Sequence, residues 1–442
     1  MPYTQYSLNS FIAQLGVLLD DTNSLYWTNP EKILAVQEGC YVWGAYTKFW
    51  RQRGTFNLTV NQSFYSLATV LPTLRTRTWT LQQMVQDIQF ALLEAANGVS
   101  GLGMSQQISV QSILQSIQRA RNQVVIDARF PYSYNAVFAA PSASGQVQFP
   151  QTSVYVHRAS WQDAISGKWT NLWREDSWVV DHNDPSWTLT PGSPTVYSEA
   201  ENAPLVMQLA PAPAAAGTLD AITVDSFLID ITNQFATFQL PDEWIHAVKY
   251  AALQDIFSSE SQNKDALRAQ YCQMRYQQAM DFAAKASSVI RLLVNGVPLP
   301  VDSIMALDAA NPYWRNQPGA PQMAGVLFDF LAVSPGAPDR TYGIMADVVR
   351  SAPIPVFGTD SIPLGAEDIP HLIDYCTHIL TIKCGGQELK DSFAQYDSFL
   401  EAVAGRSGIN RAKMRYLGPV LNQDNVEQEQ RPDRMEEAKQ NA

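Results

Sequence analysis

The stretch Pro185-Ser186-Trp187-Thr188-Leu189-Thr190-Pro191-Gly192-Ser193-Pro194 occurs a second time in this chain of 442 residues. The second copy is Pro312-Tyr313-Trp314-Arg315-Asn316-Gln317-Pro318-Gly319-Ala320-Pro321, and both copies follow the pattern P-x-W-x-x-x-P-G-x-P. Proline fixes φ and Pro-Gly favours a tight turn, so the pattern predicts one backbone shape that is used twice. The shared positions are Pro185, Trp187, Pro191, Gly192 and Pro194, and then Pro312, Trp314, Pro318, Gly319 and Pro321.

Residues that follow the two turns also match in order and spacing. The first copy contains Ala212-Pro213, Glu243, His246, Tyr250, Gln270 and Tyr271. Their counterparts in the second copy are Ala337-Pro338, Asp368, His371, Tyr375, Gln395 and Tyr396. Because separate features agree, the sequence predicts an internal duplication covering about 184–290 and 311–415.

Composition limits the classes of protein that fit. The residues are 46% hydrophobic and 11% aromatic, which is typical of a globular chain with two to four domains. The net charge of −12 argues against a broad basic surface that grips nucleic acid. It is compatible with nucleic acid passing through an assembly, since an acidic wall does not retain DNA.

The four cysteines (Cys40, Cys272, Cys376 and Cys384) are scattered, and the first residues lack the charged and apolar regions of a signal peptide. No run of about 18 apolar residues is present that would predict a membrane span. We therefore expect a soluble protein that is made in a reducing cytoplasm and keeps its thiols free.

Hydrophobic periodicity divides the chain into helical and β-rich parts. Apolar stripes predict helices at 7–21, 33–50, 80–96 and 107–127. We expect an α+β fold in which helical modules carry an inserted small antiparallel β-sandwich or barrel. The predicted domains are an N-terminal helical module (1–130), a β-rich domain (131–241), a helical hairpin (242–297), a second, shorter β-rich segment (298–364), a second helical hairpin (365–415) and an extended C-terminal arm (416–442).

Within these domains, short Val/Tyr/Trp/Thr runs predict strands and the longer apolar stripes predict paired helices. The strands are predicted at 137–140, 147–149, 153–157, 177–181, 204–211 and 219–230. The first hairpin is predicted at 243–258 and 263–295, and the second at 366–381 and 387–404, after strands within 325–357.

Sequence motifs of catalysis and of cofactor binding are absent. The Gly-rich segment 98–103 follows a helix and not a strand, which favours a loop between helices over a phosphate cradle. His371, Cys376, His378 and Cys384 lack the compact spacing of a closed zinc site. We therefore expect no catalytic residue, no metal site and no cofactor.

Pairs of acidic residues raise the alternative of glycoside chemistry, which needs two carboxylates that face a cleft. The pairs are Asp20-Asp21, Glu175-Asp176 and Asp181-His182-Asp184. Each pair lies beside a turn signal, where aspartate commonly caps a helix or a turn. Capping is the favoured interpretation.

Tryptophans are dense between residues 155 and 187. A sandwich core absorbs one or two of them, and the others predict a subunit interface, where aromatic residues are enriched. The candidate interface residues are Trp161, Trp169, Trp173 and Trp178. A platform on which sugars stack is the alternative interpretation.

The N-terminal segment 7–50 resembles the first module of head–tail connector (adaptor or neck) proteins of tailed bacteriophages. The residues that carry the resemblance are Asp21, Trp27, Glu31, Glu38 and Trp43. Residues 203–280 are similar to the sheet, helix and long tyrosine-bearing helix of that family, with the match at Pro241, Ala247, Tyr250, Ala251 and Leu253. Residues 369–407 repeat this block more divergently.

The resemblance implies a non-enzymatic virion structural protein at the head–tail junction, made in the host cytoplasm. Such proteins form a homo-oligomeric ring, with twelve copies expected, between the portal protein and tail or nozzle proteins. The ring extends the channel through which DNA leaves the head, without sequence-specific binding and without a membrane. Two alternatives remain: a carbohydrate-binding or carbohydrate-cleaving tail component, and another tail or baseplate structural protein.

Overall fold

Blocks of helices and blocks of strands alternate along the chain, and the predicted α+β class is confirmed. The computed structural model describes residues 6–71, 78–92, 108–130, 132–140, 145–199, 205–226, 229–259, 264–286, 288–327, 330–350 and 352–407. The helices are α1 (Leu8–Leu18), α2 (Asn29–Thr47), α3 (Leu67–Val70), α4 (Leu81–Ala91), α5 (Val110–Ala128), α6 (Ser177–Asn183), α7 (Ile245–Ser258), α8 (Ala266–Ala286), α9 (Ile304–Ala310), α10 (Ile369–Thr381), α11 (Gly386–Asp391) and α12 (Phe393–Ser407).

Most neighbouring strands in the sheets pair antiparallel, and a few short pairs are parallel. The strands are β1 (Arg51–Leu58), β2 (Phe64–Ser66), β3 (Tyr132–Ala140), β4 (Gln146–Gln148), β5 (Ser153–Asp163), β6 (Trp169–Arg174), β7 (Val196–Glu199), β8 (Val206–Ala210), β9 (Gly217–Asp225), β10 (Ser288–Val294), β11 (Val297–Leu299), β12 (Val301–Ser303), β13 (Pro318–Gly319), β14 (Met323–Leu327), β15 (Phe330–Ser334), β16 (Ala337–Pro338) and β17 (Tyr342–Val349).

The sheets repeat one strand order. A seven-stranded sheet has the order β3-β9-β5-β6-β7-β8-β4, and two four-stranded sheets have the orders β1-β17-β10-β11 and β12-β14-β15-β2. In each copy a parallel pair, β6 with β7 or β12 with β14, encloses one seven-residue helix, α6 or α9. The sheets pack as sandwiches and do not close into a full barrel. The predicted duplication is therefore visible in the fold.

The duplication extends further toward the N-terminus than the sequence predicts. Helices α1 and α4 both have 11 residues, and helices α2 and α5 both have 19. The residue after each longer helix, Lys48 or Arg129, has a left-handed backbone with φ of 50° or 51°. Each copy therefore contains a helix pair, strands, and then a helical hairpin.

One copy is inserted into the other. We call residues 78–286 the inserted module, and residues 6–71 together with 288–407 the outer module. The core of the inserted module joins apolar residues of α4, α5, α7 and α8. The matching core of the outer module joins residues of α1, α2, α10 and α12, which come from the two ends of the chain. Residues 1–130, predicted as one helical module, are thus divided between two helical cores, because each helix pair packs on its own hairpin.

The two repeated turns have the same structure. The indole Nε1 of Trp187 donates to Asp181 at 2.6 Å, and that of Trp314 donates to Asp308 at 2.8 Å, six residues earlier in both cases. Gly192 pairs in parallel with Pro213, as Gly319 does with Pro338. Each tryptophan therefore fixes the turn to the short helix that precedes it.

Two predicted elements are wrong. Residues 177–181 form helix α6 and not a strand, because the side chain of Asp176 caps the helix by accepting from the backbone N–H of Trp178. The predicted helix 263–295 ends at Ala286, and Ser288–Val294 forms strand β10. Asn295 and Gly296, with φ of 48° and 85°, then make a tight hairpin turn into β11.

Two sequence predictions lie outside the described residues: the Gly-rich loop at 98–103 and the C-terminal arm at 416–442. Within the described part of the chain, no helix combines the length and the apolar character needed to cross a membrane.

Candidate functional site

The residues that carry the N-terminal resemblance position helix α2 and the loop before it. The carboxylate of Asp21 accepts hydrogen bonds from the backbone N–H groups of Leu25, Tyr26 and Trp27 at 2.8–3.0 Å. The indole of Trp27 then donates to the backbone carbonyl of Leu380 on α10 at 3.0 Å. The loop is therefore held against the second hairpin.

Glu31 closes the first turn of α2 and joins it to the same hairpin. Thr28 and Glu31 form a capping box, in which each side chain satisfies a backbone N–H of the other residue. Lys383 lies 2.8 Å from the Glu31 carboxylate. Both acidic residues thus serve the placement of α2, whose Trp43 side chain is completely buried.

Glu38, in the middle of α2, lies at the junction between the two modules. Its Oε1 atom accepts from the hydroxyls of Tyr250 at 2.6 Å and Tyr375 at 2.9 Å. These tyrosines are a matched pair of the repeat, one on α7 and one on α10. The guanidinium of Arg275 on α8 donates to the same oxygen at 2.9 Å, and Lys249 donates to Oε2 at 3.2 Å.

The junction balances two buried acids against two buried bases. Lys249 also pairs with Asp87 of α4 at 2.9 Å, and Arg275 donates to the hydroxyl of Tyr396 on α12 at 2.9 Å. Glu38 is only 1% exposed, so its charge is compensated almost entirely by protein groups. The cluster therefore connects helices of both modules by charge-assisted hydrogen bonds.

The pKa values at the junction follow from burial and charge. Burial opposes ionisation of Glu38, but the charges of Lys249 and Arg275 hold the pKa of this carboxyl well below its usual range. Burial raises the pKa of Asp87, although Lys249 acts in the opposite direction. Burial lowers the pKa of Lys249, but Asp87 and Glu38 outweigh it and raise the value.

Two buried histidines flank this cluster in the neutral form. Burial lowers the pKa of His246 to about 4 although Glu38 lies 3.6 Å from its Nδ1 atom. Burial and the charge of Arg275 lower the pKa of His378 to about 3. The ring nitrogens of His378 lie 2.8 Å from the hydroxyls of Tyr271 and Ser392.

A second junction joins the β-sandwiches, and the repeated turn of the outer module is part of it. Arg158 on β5 makes two bonds, at 2.7 and 2.9 Å, to the carboxylate of Asp308 on α9. The amide of Asn171 on β6 donates to the same carboxylate at 2.7 Å, as does the indole of Trp314 at 2.8 Å. Helix α9 and its turn are therefore covered by the inserted module.

The candidate metal residues do not converge. His378 is bonded to Tyr271 and Ser392, Cys376 is buried, and Cys384 faces the hydroxyl of Tyr26 at 3.7 Å. His371, at the start of α10, is partly exposed. Within the described ranges, no group of three potential metal ligands is present. All four cysteines are free thiols.

The acidic pairs serve turns and caps, as the sequence indicates. Asp176 caps α6, Asp184 accepts from the backbone N–H of Ser186 at 3.0 Å, and Asp181 holds the Trp187 indole. These carboxylates therefore accept hydrogen bonds from nearby backbone and side-chain donors, as the capping interpretation predicts.

The four candidate tryptophans separate into covered and exposed residues. Trp161 is 2% exposed and packs in the core of the seven-stranded sheet, so its side chain has no surface for a partner. Trp169 is covered by the guanidinium of Arg315, 3.9 Å above the ring. Trp173 and Trp178 are 52% and 78% exposed.

We call Trp173, Trp178, Val179 and Leu189 the α6 patch, because they lie on α6 or on the segments that enter and leave it. Leu189 is 83% exposed and Val179 is also exposed. Val180, on the other side of the helix, packs with the buried Trp187. The buried contact between Val180 and Trp187 therefore fixes helix α6, while the side chains of the α6 patch face solvent.

Comparison with protein families and with curated proteins identified no similar protein: no protein-family model matches the chain, and a search of curated proteins found no match. Its function is therefore inferred from its own residues.

Proposed function

We propose that this chain is a non-enzymatic virion structural protein of the head–tail connector class. Copies of it form a ring, with twelve expected, between the portal protein and tail or nozzle proteins. The ring extends the channel through which the viral genome is ejected, and DNA passes without sequence-specific contacts. Its location in the virion is the head–tail junction.

The α6 patch is the observation that carries this proposal. A capped helix that exposes Trp178, followed by a turn that exposes Leu189, has the composition of a protein–protein contact, where tryptophan commonly contributes most. Its exposure in one isolated chain fits a surface that another subunit covers.

The buried junction at Glu38 supports the same proposal. It fixes two modules in one arrangement, which a ring needs if identical contacts are to repeat around it. The net charge of −12 suits a channel along which DNA moves without being retained.

The test is native mass spectrometry of the full chain over a range of concentrations. We expect a closed homo-oligomer, and we expect Trp178→Ser to weaken it by at least about tenfold in concentration, as for an interface anchor. Met305→Ser is the matched control, because Met305 holds the corresponding position on α9 and is 44% exposed. A chain that stays monomeric at all concentrations, with and without portal protein, would contradict the proposal.

Carbohydrate binding by the exposed tryptophans is the competing function. A glycan array distinguishes the two, since stacked sugars would be lost with Trp173→Ala and Trp178→Ala. We expect no glycan signal with the unaltered chain. A signal that these substitutions remove would favour the tail component instead.

A further inference from the structure

The repeat provides two equivalent sites at which one β-sandwich could bind an aspartate of the other. We call the site that is bound within the chain the complete half and the exposed site the empty half. In the complete half, Asp308 on α9 receives Arg158 of β5 and the indole of Trp314. In the empty half, Asp181 on α6 receives the indole of Trp187 and is otherwise exposed. The equivalent aspartate of the short helix is thus covered in the outer module and uncovered in the inserted module.

The repeat identifies the residue that corresponds to Arg158. The register of β5 against β9 shifts between Val156 and Arg158, and Arg158 then faces Ile222. The register of β10 against β17 shifts between Val289 and Arg291, and Arg291 then faces Asp347. Both arginines follow the same irregularity in equivalent strands, so Arg291 is the counterpart of Arg158.

The two counterparts differ in exposure. Arg158 and Asp308 are buried against each other, at 4% and 7% side-chain exposure. Arg291 and Asp181 are both exposed and lie in different modules of the chain. The chain therefore makes the contact between Arg158 and Asp308, and it leaves the equivalent residues Arg291 and Asp181 exposed.

Apolar residues accompany both exposed halves. Asp181 lies on the same helix as Trp178 and Val179 of the α6 patch, and the hairpin of β10 and β11 carries the exposed Ile290 and Val297. In the complete half, Trp169 of the β5–β6 hairpin exchanges two hydrogen bonds with Asn316, at 2.8 and 2.7 Å. Asn316 occupies the position in its turn that Leu189 occupies in the other.

We propose that a second copy of this chain completes the empty half. The α6 patch of one subunit binds the β10–β11 hairpin of the next, with Asp181 paired to the next subunit's Arg291 as Asp308 is paired to Arg158. This contact uses different surfaces on the two subunits, so it propagates head to tail and closes a ring if the rotation closes. The inference rests on the proposed ring and identifies the contact that builds it.

Mixed disulfide cross-linking of the full chain tests this geometry. One preparation carries Asp181→Cys and another carries Arg291→Cys, and they are oxidised with copper–phenanthroline alone and mixed. We expect linked dimers only in the mixture, because a head-to-tail contact never brings two copies of one site together. Three of the natural cysteines are buried, and Cys384→Ser in both preparations removes the partly exposed one.

Charge exchange provides a second readout, and its first variant, Arg291→Asp, leaves the hydrogen bond from the Trp187 indole to Asp181 intact. Arg291→Asp should lower the extent of oligomerisation by about fivefold or more, and adding Asp181→Arg should restore it in part. Lys168→Asp, at an exposed position in the β5–β6 hairpin, is the control for a change of net charge and should have no effect. Circular dichroism melting of each variant verifies that the modules stay folded.

Four outcomes decide the inference. Cross-links in the mixture alone, with recovery in the exchanged variant, support it. Cross-links within a single preparation of Asp181→Cys would overturn it in favour of a two-fold contact. Rings in native mass spectrometry without any cross-link in the mixture would overturn this contact and leave the proposed function standing, whereas the absence of any oligomer would remove both.

Discussion

Glu38 accepts hydrogen bonds from four side chains of the two hairpins while almost no water reaches it. Glu38→Gln keeps the shape but leaves Arg275 and Lys249 with a deficit of negative charge in a buried place. We expect a loss of about 3–5 kcal/mol in the free energy of unfolding, measured by urea titration. Asp347→Asn breaks an ion pair with Arg53 at the surface and should change stability little.

The buried histidines make stability depend on pH. In the unfolded chain both titrate near 6.5, but in the folded chain burial lowers the pKa of His246 to about 4 and that of His378 to about 3. The unfolded state therefore binds more protons as the pH falls below 6.5, and the folded state loses stability. Each histidine contributes on the order of 3 kcal/mol of this loss by pH 4.

The measurement is the free energy of unfolding between pH 7.5 and 4. His246→Gln and His378→Gln should each flatten the slope in this range, even if they lower stability at neutral pH. His182→Gln, at an exposed position on α6, is the control substitution. A wild-type slope close to zero over this range would be incompatible with neutral buried histidines.

At the scale of elements, the β10–β11 hairpin depends on a left-handed backbone. Gly296 has φ of 85°, and a Cβ added there would have no atom within 4 Å. Gly296→Ala therefore measures the cost of the left-handed backbone alone, without a steric clash of the side chain. We expect a loss of about 1–2 kcal/mol in thermal unfolding. Gly405→Ala in helix α12 also meets nothing within 4 Å and should instead stabilise the protein by about 0.5–1 kcal/mol.

These elements show what the sequence could predict. The two turns were recognisable because Pro and Gly act locally on the backbone, and the structure places both tryptophans on the same kind of anchor. The strand predicted at 177–181 is wrong because a Trp-Val-Val run favours β structure, whereas the Asp176 side chain caps the backbone N–H of Trp178 and stabilises a helix. The Asn295-Gly296 turn signal indicates the β10–β11 hairpin after α8, but the long apolar stripe across both elements concealed it.

The α6 patch belongs to this scale as well. Tryptophan density indicated an interface, but only the folded structure separates Trp161, which lies on β5 and fills the core, from Trp178, which is exposed on α6. Sequence spacing along a strand predicts on which face of the sheet a side chain lies. It does not predict which face another part of the protein covers. The prediction for Trp178→Ser against Met305→Ser tests this distinction directly.

For the whole molecule, the nesting of one module in another was beyond the reach of sequence spacing. Helices α1–α2 and α4–α5 share length and end geometry but little sequence pattern, so their equivalence emerges only from packing. The buried charges at the junction were also missed. Lys249 and Arg275 interrupt apolar stripes of α7 and α8, and such an interruption was the available signal for a buried ion pair.

The nested arrangement gives the proposed ring a physical basis. Because each module repeats the other, a contact made within the chain at Arg158 and Asp308 can be repeated between chains at Arg291 and Asp181. The junction at Glu38 keeps the two modules in one orientation, so successive contacts share one rotation. If that rotation closes, as in the proposed ring, it fixes the number of copies.

Electron cryomicroscopy of the assembled full-length protein tests the central claim most directly. We predict a closed ring with an axial channel, in which Trp178 is covered by the β10–β11 hairpin of the adjacent subunit. Particles without rotational symmetry, or a ring in which Trp178 faces solvent, would contradict the account.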